Sequence, residues 1–145
     1  MNAPAVANAD LLTGVFGEWP SFRGAEMLCL VFDRGKGAPF ADAMIHVFRM
    51  KAPDPATGIF EADKHTLVTL RFCDVRLVRF EGFNSQNALA ELTIVPCEDP
   101  DFRYAVDFYA SNGCDAELLC NEVEVVSAMP FSDEAMTSTG SIYSI

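Results

Sequence analysis

Basic residues are scarce. The 145-residue chain has 10 lysines and arginines against 21 acidic residues, a net charge of −11. Like charge repels a phosphate backbone, so nucleic-acid binding is not expected. Attachment to an anionic membrane surface is disfavoured for the same reason. No apolar stretch approaches the roughly 20 residues that span a bilayer. Met1 to Ala7 has neither the basic start nor the apolar run of a secretory signal. Histidine is limited to His46 and His65, and no second histidine stands at metal-ligand spacing. Cys-x-x-Cys pairs, His-Glu-x-x-His helices and Gly-x-Ser-x-Gly elbows are absent, and Gly35-Lys36-Gly37 lacks the spacing of a phosphate loop. These absences argue against a metal, a cofactor and an enzyme. The cysteines, Cys29, Cys73, Cys97, Cys114 and Cys120, are odd in number and match no disulfide framework. Buried free thiols in a reducing cytoplasm are the simplest account.

Apolar residues are plentiful. They make up half of the chain, with 12 phenylalanines among them, and this excludes a disordered polymer. The length suits one domain able to bury a core without staples. Residues 1–9 read as a flexible start, 10–131 as a single β-rich domain and 132–145 as a polar tail. Asp10 can cap a short helix through Leu11, Leu12, Val15 and Phe16 that ends at Gly17. Met27 to Phe32 is apolar at every position and predicts a strand covered on both faces. Met44 to Met50, Thr66 to Phe72, Val75 to Phe80, Leu89 to Val95 and Tyr104 to Tyr109 follow as strands, with Val68, Leu70 and Phe72 facing one way and Thr69 and Arg71 the other. Ser111-Asn112-Gly113 marks a hairpin, because Asn-Gly accepts positive φ. Beyond it Val123 and Val125 alternate with Glu122 and Glu124. Seven or eight strands without βαβ alternation predict a mostly-β fold. Its antiparallel sheet curls into a sandwich or partial barrel and carries one short N-terminal helix.

Two segments draw notice. Trp19-Pro20-Ser21-Phe22 precedes the first strand, and a lone tryptophan there is expected to lie mostly buried as a lid on the core. Gly82-Phe83-Asn84-Ser85-Gln86-Asn87 is a polar loop carrying one phenylalanine. Its amides can satisfy turn backbone or present hydrogen bonds to a partner. The acidic residues are lopsided: from Cys97 to Ile145 there are ten, with Arg103 as the single basic one. Glu98, Asp99 and Asp101 gather in a Pro-punctuated loop, and Glu122 and Glu124 share a strand face. With no internal cations to pair them, they would project a negative field.

The stretches Gly17-Glu18-Trp19-Pro20-Ser21-Phe22 with Ala25-Glu26, Arg71-Phe72-Cys73-Asp74-Val75, and Glu81-Gly82-Phe83-Asn84-Ser85-Gln86-Asn87 resemble, in content and order, the immunity protein 50 family of bacterial polymorphic toxin systems. The resemblance covers roughly residues 10–128. The chain departs from the family pattern at Arg23-Gly24, where members often read His-Asp. The resemblance implies a non-enzymatic role, binding and neutralising a cognate protein toxin in the cytoplasm. A basic toxin would suit the acidity. On this reading the contact residues are Glu98, Asp99, Asp101, Glu122 and Glu124, with Phe83 and Asn84 as a second candidate. The rival is a small-molecule-binding β-barrel whose phenylalanines line a cavity. An enzyme would need a concave cluster built on His46 or His65 with acidic or thiol partners.

Overall fold

The structure, a computed structural model, describes residues 5–59 and 61–131. The expected polar tail from Ser132 lies outside the described residues. Helix α1 (Asp10–Phe16) ends at Gly17, whose φ of 82° gives the left-handed cap expected there. Its start differs from expectation. Ala9 occupies the N-cap without a side-chain bond, because the positive φ of Asn8 turns the chain one residue earlier. Asp10 is thereby the first helical residue, where its carboxylate still meets the positive end of the helix dipole. Leu12 carries the helix into the core. Ahead of it, within the stretch expected to be loose, Ala7 bonds Val123 and Val125 through its N–H and C=O, both at 2.9 Å.

Eight strands follow: β1 (Glu26–Asp33), β2 (Phe40–Met50), β3 (Ala62–Cys73), β4 (Arg76–Glu81), β5 (Ala88–Pro96), β6 (Tyr104–Asn112), β7 (Asp115–Cys120) and β8 (Glu122–Pro130). They form one antiparallel sheet in the order β4-β7-β6-β5-β1-β2-β3-β8, not closed into a barrel. Between β5 and β1 the ladder narrows to the single pair Glu26↔Ala88. There the sheet folds back so that one half, β5-β6-β7-β4, faces the other, β1-β2-β3-β8. Alternation supplies the filling. Ala41, Ala43, Ile45 and Val47 of β2, Val68, Leu70 and Phe72 of β3, and Val106 and Phe108 of β6 are all buried. Phe72 meets Phe108 edge to face across the two halves, with ring centroids 5.8 Å apart.

One expectation changes. Of Met27 to Phe32 only Met27 is buried, so β1 is not covered on both faces. Its outer residue Cys29 lies beside Met44 in the register and is shielded only in part. Trp19 is largely buried and packs against the core as expected, 5.7 Å from Phe22. Phe22 beside it is fully buried, held at a φ of 60° that only burial makes tolerable for a bulky side chain. The strand expected at Val75 to Phe80 runs from Arg76 to Glu81. The tight connection at Asp74 throws β4 across to pair with β7, and Asn121 likewise sends β8 back to β3.

Candidate functional site

β1 begins beside β5 and ends beside β4, so it crosses the opposite half diagonally. The evidence is the Glu26↔Ala88 pair at one end and a contact between Phe32 and Phe80 at the other, 6.3 Å apart and edge to face. Phe80 also lies 6.2 Å from Phe83. The residues left uncovered are Phe32 (40 % exposed), Leu77 (44 %), Val78 (51 %), Phe80 (40 %) and Phe83 (43 %). Singly, such exposure needs no explanation, but a run of neighbouring large apolar side chains on a water-facing surface marks a contact site. The register shift between Leu77 and Arg79 makes Val78 the bulged residue of β4.

The charges around β4 are tied to its own sheet. Arg76 pairs with Asp99 at 3.1 Å and lies 4.9 Å over the ring of Phe102. Arg79 reaches Glu81 at 3.5 Å and Asp107 at 3.9 Å. This corrects the expectation that the acidic third has no internal cations. Asp99 is further spent on the turn, accepting a 2.9 Å bond from the Asp101 N–H. Glu98 and Asp101 are exposed. The loop that bears them is stitched to the β7–β8 turn by the Arg103 N–H, which donates to the Cys120 carbonyl and to Asn121 Oδ1 at 3.1 Å each. Glu122, next in the chain, is therefore at the same end. Glu124 sits apart, on the outer face of the other half opposite Arg71. There Arg71 makes a two-pronged bond to Asp42 at 2.8 and 2.9 Å. That bond, with the charges of Asp42 and Glu124, strengthens the guanidinium's hold on its proton.

Asn84 is occupied internally. Its Oδ1 accepts from Gln86 N–H, its Nδ2 donates to the Gly82 carbonyl, and its main chain bonds both side-chain atoms of Asn87. Asn87 is buried and reaches the Met27 carbonyl at 3.4 Å. The loop is a built turn that presents Phe83. A Cβ on Gly113 would strike the Gln86 carbonyl and Asn87, so the β6–β7 hairpin is seated on this loop and holds it in place.

The histidines come together, which their separation in sequence hid. His46 Nε2 lies 2.9 Å from His65 Nδ1, the outer-face diagonal of the β2–β3 register. Phe131 stacks on His46 at 3.9 Å and Phe48 lies beside both rings. Among the described residues no group of three or more His, Cys, Asp or Glu side chains is placed to share a metal ion. Burial, aided by the nearby Cys73 and Cys97, pushes the Cys120 thiol up to about 12. Burial likewise raises Cys29, Cys73 and Cys114, which keeps these thiols protonated and poorly nucleophilic at neutral pH. Two clefts of about 490 and 540 Å³ flank the segment from Glu18 to Arg23 on the outside of the fold. Among the described residues no helix is long and apolar enough to cross a membrane.

The model of a family described as immunity protein 50 matches residues 8–131. No curated protein and no solved structure matches the chain.

Proposed function

The chain belongs to the immunity protein 50 family, and from that premise we propose that it binds and neutralises a cognate protein toxin of a bacterial polymorphic toxin system. It does so in the cytoplasm, by occlusion and without catalysis. The observation that carries this reading, beside the family, is the exposed corner of Phe32, Leu77, Phe80 and Phe83. Interfaces are centred on such aromatic clusters and rimmed by charge. Glu81 at one end and Glu98 with Asp101 at the other supply that rim, and the net charge of −11 suits a basic toxin while repelling nucleic acid. The interior offers the rival β-barrel reading little, since Phe72, Phe108 and their neighbours fill the space that a ligand would need.

The test is co-expression with a candidate toxin domain, taken from the C-terminus of a large protein encoded beside the chain. The chain should restore growth to cells that express this domain and should co-purify with it at a fixed stoichiometry. Continued growth arrest with no complex on a sizing column would refute the proposal.

A further inference from the structure

The sheet has two outer edges, and they are not alike. Along β8 the edge is partly taken, because Ala7 bonds Val123 and Val125 there. β4 pairs with β7 on one side only. On its other side, among the described residues, no hydrogen bond is made to the main chain of residues 76–81. Proteins usually blunt such an edge with charges held over it, because unpaired N–H and C=O groups recruit other strands. β4 has the charges but holds them elsewhere: Arg76 is drawn to Asp99, and Arg79 to Asp107 and Glu81. What remains beside the open edge is apolar, with Leu77, Val78 and Phe80 on the strand and Phe32 and Phe83 next to it.

We infer that the free edge of β4 accepts an extended segment of the toxin as a ninth strand, with Phe32, Phe80 and Phe83 receiving its apolar side chains. This inference rests on the toxin-binding reading above and adds the surface and the mode of contact. The dimensions set the segment at about six residues, since β4 spans roughly 17 Å at about 3.3 Å per residue. Charge sets its chemistry. The arginines over the strand are already neutralised, so the middle of the segment is apolar. Glu81 is engaged with Arg79 at one end of β4, while the exposed Glu98 and Asp101 stand at the other, joined to it through the Arg76–Asp99 pair, so a basic residue belongs at that end of the segment. A second copy of the chain fits less well, because each copy carries a charge of −11. Main-chain bonding supplies affinity in this mode, and side-chain pockets supply choice of partner.

Amide hydrogen exchange on the full chain, alone and with the candidate toxin domain that it protects against, tests this. The amides of residues 76–81 that are not bonded to β7 should exchange freely in the chain alone and slow at least tenfold in the complex, whereas those bonded to β7 are protected in both states. Val78→Lys and Phe83→Ser alter exposed side chains, so the fold should survive, as circular dichroism would check. Each should weaken the complex about tenfold or more, the effect of losing a hot-spot contact. A complex that forms without protecting the open-edge amides of residues 76–81 overturns this inference and leaves toxin binding standing. Protection of these amides already in the isolated chain overturns it too, because the edge would then be filled by the chain itself or by a second copy. Failure to form any complex overturns both.

Discussion

Asp42 and Arg71 face one another across β2 and β3, but they are not equally placed. The Asp42 side chain is 8 % exposed and that of Arg71 is 37 % exposed. If Asp42 is removed, the guanidinium can turn to water and to Glu124. If Arg71 is removed, a carboxylate is stranded where water scarcely reaches. Breaking a paired charge costs most when the partner left behind is buried. Arg71→Ala should therefore destabilise by about 2–4 kcal/mol and Asp42→Ala by about 1–2 kcal/mol, with the double variant costing less than the sum. Urea unfolding of the three variants measures this, and the reverse order would show that Asp42 is hydrated. The same asymmetry ranks two aromatics. Phe22→Ala empties a fully enclosed site and should cost about 3–5 kcal/mol. Trp19→Ala removes a ring that is largely but not wholly buried, so it should lower the melting temperature clearly but less than Phe22→Ala does.

At the scale of elements, the strands were legible wherever apolar and polar residues alternate, as at Thr66 to Phe72 and Tyr104 to Tyr109. The hairpin at Asn112-Gly113 was legible from its turn chemistry. What could not be read was which strand pairs with which. The six residues of β4 carry no sign that they abandon β3 for β7, because pairing across a crossover is decided by the core they jointly enclose. The limit was the same for the site. Phe83 stood out as one aromatic in a polar loop, while Phe32 and Phe80 looked like ordinary strand residues until the register brought them beside it. Glu98 and Asp101 are exposed as the composition suggested, but nothing local reveals that Asp99 is claimed by Arg76, 23 positions earlier. The seating of the hairpin on the Phe83 loop gives a prediction at this scale. Gly113 has a φ of 88° and no room for a side chain. Gly113→Ala should lower stability by about 2–4 kcal/mol from strain and displacement combined, and should weaken toxin binding beyond that by shifting Phe83. Thermal melts alongside titration calorimetry separate the two effects.

The whole molecule behaves as a negative body with a neutralised corner. A field from the full charge is screened over about 8 Å at physiological salt, so it acts on the rate of encounter rather than on the docked contact. Changing Glu98, Asp101 and Glu122 together to their amides should slow association with the candidate toxin domain at low salt. The difference should shrink at high salt, with dissociation little altered. Asp99 is left intact in this variant because its loss would free Arg76 and loosen the loop. Stopped-flow rates across ionic strength give the answer, and indifference to both salt and substitution would reduce the acidity to an aid to solubility. The strand order has a separate consequence, in time. β3 is not covered until β8, the last strand, arrives, and Ala7 finds its partners only on that same strand. A ribosome must therefore release nearly the whole chain before either half can close, and contacts this distant in sequence are slow to form. During that interval the newborn chain carries its apolar strands unpaired.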